Sequence, residues 1–379
     1  MIIQSTRVYY EEKFCPKQVE ITGKRITNVY EYGQFPVDKD YGDLKILPGL
    51  NDIHNHGYME QGANNANTEW LTKWMNYLIQ EGVTGTLPSI SCGNPHEVIL
   101  DSLRCMDEFA SGEYDGCRIL GIYSEGPFVG QKPGAQNVAF KLIPTKEIVD
   151  DYINASGGRM KYIMLAPEEL NGDYSVLDYI RSKGISISLG HTGASFEVCT
   201  EARAHGAISF THTFNGMLGL GHREPGVAGA ALYYDDMYAE LIGDGVHVNK
   251  VPANILARMK GKDKLILVTD SVEIKGLPVG KVGTRGKEVF ICEDGVGRLA
   301  NGTISGSANR LNRVLRYSIE QSKIDEVTAI NAATVNPCKM LGINDLGLIK
   351  PGYIASIAVF DDTYEPVDVY VEGKKYCIQ

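Results

Sequence analysis

The sequence predicts an α/β protein: a closed (β/α)8 TIM barrel carrying a small β-sandwich built from both chain termini. Three observations lead there. Through the middle of the chain, short apolar runs rich in β-branched residues alternate with helical patterns, which is how repeated βα units and a parallel sheet read. Eight such runs can be counted, ending near His54, Ser89, Glu125, Pro167, His191, His212, Asp244 and Asp270. Most of those ends are histidines or carboxylates, and in such a barrel sites gather at the carboxyl ends of the strands.

Taken in order, residues 7–10, 18–21 and 26–30 alternate like short strands, with a turn signal at Thr22-Gly23-Lys24. The stretches 354–360 and 367–371 near the other end have the same character. Short sheets fold poorly alone, so residues 1–47 and 352–379 are assigned to one small sandwich and 48–351 to the barrel. Between the barrel runs, residues 68–80 read as a helix stopping at Gly82. Asn94-Pro95-His96-Glu97 reads as an N-cap, a proline at the first helical position and an acidic first turn. The longest irregular region, 272–307, is glycine-rich with a hairpin expected around 288–291. Connections of that length are more often functional than idle, so 303–307 is a candidate lid edge, with a surface decoration as the alternative.

A chain of 379 residues can bury the core of one large barrel plus a satellite domain. The formal net charge of −10 argues against nucleic acid as a partner and means that an anionic substrate needs a local cation. Eight cysteines are scattered with no C-x-x-C pair, which points to reduced thiols rather than a disulfide framework. The opening Met1-Ile2-Ile3-Gln4-Ser5 has no basic stretch followed by an apolar one, and no apolar run reaches membrane-spanning length. A cytoplasmic protein with no membrane partner is expected.

The chemistry is concentrated at the strand ends. In His54-Asn55-His56 the spacing is that of a strand, where residues i and i+2 share a face, so both imidazoles can reach one ion. Glu125, His191 and His212 supply a three-ligand set from strands three, five and six. His54 and His56, with Glu125 or Asp270 bridging, supply a second. Two ions so held can share the work of polarising an acyl oxygen and activating water. Asp270 is free to take a proton from water and hand it to a leaving nitrogen, and His247 to hold substrate from strand seven. Taken singly, each histidine is better read as structural, as His96, His205 and His222 illustrate. Five of the eight histidines nevertheless fall at strand ends, which random placement rarely gives. Asp244 reads as structural, bonding the amides of its own turn.

The strings Pro48-Gly49-Leu50-Asn51-Asp52-Ile53-His54-Asn55-His56-Gly57, Ser124-Glu125-Gly126-Pro127-Phe128, Leu189-Gly190-His191-Thr192, Thr211-His212-Thr213-Phe214-Asn215-Gly216-Met217, Arg223-Glu224-Pro225-Gly226, Asp244-Gly245-Val246-His247-Val248 and Val268-Thr269-Asp270 together resemble the N-acetylglucosamine-6-phosphate deacetylases of the amidohydrolase superfamily. The likeness runs in order from about residue 47 to 360. It implies metal-dependent hydrolysis of the acetyl group from N-acetylglucosamine 6-phosphate, in amino-sugar catabolism. By position, Glu125, His191 and His212 match the family's metal ligands and Asp270 its catalytic acid/base. Asn215, Gly216 and His247 match substrate contacts, as do Ala135 and Gln136 on the loop after Glu-Gly-Pro-Phe. Arg223 matches the phosphate contact, which a neighbouring subunit of a homodimer can supply. Ile304, Ser305 and Gly306 match a closing loop. The retained His54 and His56 imply a second metal; zinc is expected, with iron, cobalt or manganese as alternatives and one or two ions per chain.

Two departures stand out. Tyr123-Ser124 replaces the family's His-Leu, a change of packing more than of chemistry. Gln136 stands where the family has a histidine that polarises the acetyl carbonyl, so the residue can donate a hydrogen bond but carries no charge. That opens a second reading, the same reaction on another N-acetylhexosamine 6-phosphate such as the galactosamine epimer. A cyclic-amide hydrolase ranks lower, because strand four ends in Ala166-Pro167-Glu168 without the lysine such enzymes carboxylate, and Lys161 lies near its start. A non-catalytic binding protein ranks lower too, since every ligand and Asp270 are present.

Overall fold

The structure is a computed structural model that describes residues 1–280, 282–284, 288–302 and 304–378, with the backbone alone for 282–284. Among the described residues, eight strands make the barrel: Leu50–Asn55 (β1), Val83–Ile90 (β2), Ile122–Ser124 (β3), Met160–Leu165 (β4), Ser186–Leu189 (β5), Ala207–Phe210 (β6), Tyr238–Ile242 (β7) and Leu265–Val268 (β8). Neighbours pair in parallel in chain order, and a short strand Arg118–Ile119 pairs with β2 just before β3. The ring closes where Asn55 bridges Ser271 and the Asp270 N–H donates to the His54 carbonyl at 2.9 Å. A helix follows each strand: Thr68–Ile79, His96–Ser111, Lys146–Ala155, Ser175–Ser182, Phe196–Ala204, Gly226–Tyr233, Lys250–Lys264 and Leu311–Glu320.

The barrel strands are apolar on both faces because both faces are covered. In β8, Leu265 and Leu267 pack outward into the helical layer while Ile266 and Val268 join the inner core with Ile53, Leu87 and Tyr162. β4 divides in the same way, Ile163 and Leu165 outward, Tyr162 and Met164 inward. The strands stop one or two residues short of the expected ends at Glu125, His191, His212 and Asp270, which places those residues at the first turn of each loop. One helix start differs from expectation. His96–Ser111 begins after Pro95, with no side-chain cap, and the Asn94 side-chain oxygen instead accepts from the Asn64 side-chain amide at 3.1 Å.

Both termini enter one eight-stranded sheet, joined where Ile357–Phe360 pairs antiparallel with Lys45–Pro48. Alternation along these strands serves two cores. Ile46, Ile357 and Val359 face Ile3, Val8, Val19 and Ile26 inside the sandwich, while Leu47, Ala358 and Phe360 pack with the helical layer of the barrel. The long insertion is richer than the single expected hairpin. Val282–Thr284, Glu288–Ile291, Val296–Arg298 and Ile304–Ser307 form a four-stranded antiparallel sheet, whose three- and four-residue strands are too short for alternation to show. Thr303, the first residue of the expected lid edge, lies outside the described residues.

A buried ion pair ties this insertion to the barrel. Lys275, after β8, reaches both oxygens of Glu81 at 2.9 Å, and Glu81 also accepts the Leu311 N–H at 3.1 Å; both charged side chains are fully buried. Removing one partner strands the other charge in the core, which costs about 3–5 kcal/mol. Lys275→Ala is therefore expected to lower the unfolding free energy by about that much in urea titration, whereas Lys275→Met with Glu81→Leu loses far less; equal losses for the two proteins would contradict the assignment.

Candidate metal centre

Six side chains converge at the carboxyl mouth of the barrel. His191 Nε2 and His212 Nε2 lie 2.9 and 3.0 Å from Glu125 Oε1 and 3.2 Å from each other. On the opposite side, His54 Nε2 and His56 Nε2 lie 3.1 Å apart, with Glu125 Oε2 3.1 Å from His56 and Asp270 Oδ1 3.4 and 3.3 Å from the two. Two donor sets result, His54, His56, Glu125 and Asp270, and Glu125, His191 and His212, in each of which the candidate ligand atoms all lie within 4.8 Å of one another. Glu125 belongs to both.

The tautomers follow from what holds the other ring nitrogens. His56 Nδ1 faces the Ser89 carbonyl at 2.7 Å, His191 Nδ1 the Lys132 carbonyl at 3.1 Å, and His54 Nδ1 the Glu240 carboxylate at 2.9 Å. Each partner only accepts, so each Nδ1 carries a proton, and each Nε2 is turned into the common space, where it can offer a lone pair once it holds no proton of its own. Nitrogens this close to one another and to carboxylate oxygens need protons or a metal cation between them. Imidazole nitrogen with carboxylate oxygen is a donor set for zinc and related divalent ions, and the residues present fit such a group.

The backbone is bent to make this possible. His191, His212 and Asp270 have φ of 46°, 32° and 47°, the left-handed region that costs a side-chain-bearing residue about 1–3 kcal/mol. Each bend is held by its neighbours. The His191 carbonyl accepts the Gly130 N–H at 2.8 Å, the His212 N–H donates to Glu240 at 3.0 Å, and the Asp270 N–H donates to the His54 carbonyl. Gly216, itself at φ 57°, lies against the His191 ring: a Cβ there would stand 2.9 Å from Nδ1.

The remaining sequence candidates are placed as follows. Gln136 reaches the cluster: its amide donates to Glu125 Oε2 at 2.7 Å and to the Glu125 carbonyl at 3.2 Å, while its own oxygen accepts the Cys92 N–H at 2.6 Å. Its amide protons are thus taken up by Glu125. His247 donates from Nδ1 to Asp244 at 2.6 Å, and Asp244 also accepts the amides of Val246 and His247, the turn-bonding role expected of it. Asn215 is half-buried and donates to the His212 carbonyl, and Ala135 is exposed. Arg223 is exposed on the loop after β6, with no ion pair among the described residues. Ile304, Ser305 and Gly306 lie on the last insertion strand, where Ser307 donates its N–H to the Asp270 carbonyl at 3.3 Å, so the expected lid edge is bonded to the backbone of the candidate acid/base.

Sequence reasoning missed Glu240. Its signal was visible, a carboxylate in the middle of the apolar run Tyr238-Ala239-Glu240-Leu241-Ile242. Asp52 was passed over as well; buried beneath the site, it accepts from the Thr269 hydroxyl at 2.6 Å and the Asn55 amide at 3.1 Å, fastening β1 to the end of β8.

Comparison with known proteins agrees with this geometry. The model of the Amidohydrolase family matches residues 46–376. The chain is 32% identical to the N-acetylglucosamine-6-phosphate deacetylase of Lysinibacillus sphaericus, over 86% of this chain and 84% of that protein. It is 31% identical to the N-acetylgalactosamine-6-phosphate deacetylase of Escherichia coli O157:H7, over 89% and 90%. The structure superposes on N-acetyl-D-glucosamine-6-phosphate deacetylase from Mycobacterium smegmatis, solved with N-acetyl-D-glucosamine-6-phosphate, with a TM-score of 0.92 at 25% identity, covering 99% and 98% of the two chains.

The cluster's electrostatics favour cations. Burial works to lower the pKa of His54 and His56, but the carboxylates outweigh it: Asp270 and Glu240 hold His54 well above the ordinary imidazole value, and Glu125 with Asp270 pushes His56 up to about 9. Against its own burial, Glu125 is held well below the usual carboxylate range by His191 and His56. A metal ligand must present a lone pair, so below about pH 9 an incoming cation displaces a proton from His56. Zinc titration of the metal-stripped protein at neutral pH, by calorimetry in buffers of different ionisation enthalpy, is expected to show proton release, and apparent affinity rises as pH rises toward 9. Affinity independent of pH between 6 and 9 would contradict this reading of the cluster.

Proposed function

The chain belongs to the amidohydrolase family, and we propose that it removes the acetyl group from N-acetylglucosamine 6-phosphate, giving glucosamine 6-phosphate and acetate. The observation that carries the reading is the pair of donor sets sharing Glu125 at the mouth of the barrel, in a chain related over 86% of its length to a deacetylase of this substrate class. Zinc is the metal proposed, two ions per chain, held by Glu125, His191 and His212 and by His54, His56, Glu125 and Asp270. Bound there, a divalent ion supplies Lewis acidity to an acyl oxygen and makes water a better nucleophile at neutral pH.

The chain's own groups do the rest. Asp270, its carboxyl held below the usual range against burial by His54 and His56, is ready to accept a proton as a water oxygen bonds to the acyl carbon. The C–N bond then breaks, acetate departs with the new oxygen, and Asp270 returns the proton to the sugar nitrogen. Gln136 holds Glu125 in place through both its amide protons, a neutral anchor. His247, its Nδ1 proton fixed by Asp244, keeps Nε2 as an acceptor for a sugar hydroxyl. Asn215, Gly216 and Ala135 line the substrate's approach, and Ile304, Ser305 and Gly306 close over it.

Arg223 is proposed to bind the phosphate, because a guanidinium offers two charge-assisted bonds to it. Its exposure suits a partner subunit's active site. Exposed Leu218, Leu220 and Tyr233 beside it, and Val251, Ile255 and Met259 at helical spacing along the adjoining Lys250–Lys264 helix, support a homodimer across this face. A cytoplasmic location is proposed from eight free cysteines; among the described residues no helix is long and apolar enough to cross a membrane. The E. coli relative's name gives the galactosamine epimer standing as a second reading.

An acetate-release assay over a panel of N-acetylhexosamine 6-phosphates is expected to show fastest turnover with the glucosamine derivative. Preference for the galactosamine epimer would select the second reading, and no release from any would overturn the proposal. Asp270→Asn is expected to keep the ion proposed at Glu125, His191 and His212 while turnover falls by about 10²–10⁴-fold. Arg223→Ala should weaken apparent affinity for phosphorylated substrates by about 10- to 100-fold, and equal loss on an unphosphorylated sugar would remove it from the phosphate site.

A further inference from the structure

Glu240 sits in the middle of β7, fully buried. One of its oxygens, Oε2, accepts two hydrogen bonds, from His54 Nδ1–H at 2.9 Å and from the His212 backbone N–H at 3.0 Å. The first donor belongs to one ligand set and the second to the other. Among the described residues no lysine or arginine pairs with it, although a buried ionised carboxylate normally demands such a partner.

We infer that Glu240 is the positioning residue of the metal centre, fixing His54 as a ligand and setting how tightly the cation on the His54/His56 side is held. The inference rests on the two-ion reading above. Two physical effects carry it. By accepting the Nδ1 proton, Glu240 commits His54 to the tautomer whose Nε2 lone pair faces the site, and it raises the basicity of that nitrogen, as a carboxylate behind a ligating histidine does. Its charge also completes the electrostatic balance. Glu240 adds a third carboxyl group, beside Glu125 and Asp270, to a cluster whose neighbours are four imidazoles, so the cluster as a whole favours cations. A divalent ion held by His54 Nε2 would offset the charge of Glu240 through the ring. The bond to His212 is to its backbone, so it steadies the φ of 32° there without changing that ring's basicity, and the effect on the other ion is smaller.

The test loads the full chain with Zn²⁺ and challenges it with a graded chelator, counting ions released per chain while circular dichroism follows the fold. The wild type is expected to release two ions in two steps. In Glu240→Gln, which keeps the shape and loses the charge, the more weakly held ion should leave at about 10- to 100-fold lower chelator, with the tighter ion shifted far less. In a His54→Ala background, adding Glu240→Gln should change release of the remaining ion little, because the ring it acts through is gone; a purely structural role would cost the same in both backgrounds. Unchanged release in a folded Glu240→Gln overturns the proposal, as does equal weakening of both ions. A wild type that holds one ion overturns instead the two-ion reading beneath it. A further measurement needs no variant at Glu240: a strongly downfield imidazole N–H proton resonance in the wild type that disappears in His54→Ala supports the bond, and its absence from the wild type contradicts it.

Discussion

The arrangement depends on one carboxylate serving two sets of imidazoles. Glu125 turns Oε1 toward His191 and His212 and Oε2 toward His56, and Gln136 pins the second oxygen from the side. Everything nearby serves to keep that group from relaxing. Strands end two residues early so that His191, His212 and Asp270 can turn inward, and the strain in their backbones is held by hydrogen bonds that themselves cross from one strand to the next. The barrel contributes rigidity: its inner core of Ile53, Leu87, Tyr123, Tyr162 and Val268 fills the space beneath the site, and the His54 ring meets Tyr123 edge-on at 4.9 Å.

Behind the ligands stands a layer of groups that accept and do not donate. Ser89 and Lys132 offer carbonyls, and Glu240 a carboxylate, so three of the four rings have their protons drawn outward and their lone pairs left for the centre. Asp52 plays the equivalent part for the backbone, joining the first and last strands at the point where the ring closes. The insertion is joined to the same point, since Ser307 bonds the Asp270 carbonyl and Lys275 is buried against Glu81. The insertion edge is thus bonded directly to the backbone of Asp270.

The barrel and the candidate metal cluster were legible in the chain because they obey simple periodicities: β-branched runs between helical patterns, and polar residues where each run stops. His54, His56, Glu125, His191, His212 and Asp270, picked out that way, are brought together by the fold. Glu240 was not, because it lies inside a run rather than at its end, where a lone carboxylate reads as noise until three-dimensional neighbours give it a donor. The insertion sheet was underread for another reason, as strands of three residues interrupted by glycines leave no alternation to detect. Arg223 is exposed and has no ion pair among the described residues, which is consistent with the proposal that its site lies on a second copy.

The central claim is that Glu125 is shared between two cations. Crystals of the zinc-loaded protein, measured on both sides of the zinc absorption edge, test it most directly. The account requires two anomalous peaks per chain about 3.5–4 Å apart, each with one oxygen of Glu125 among its ligands. One peak alone, or two with Glu125 bound to only one of them, would contradict it.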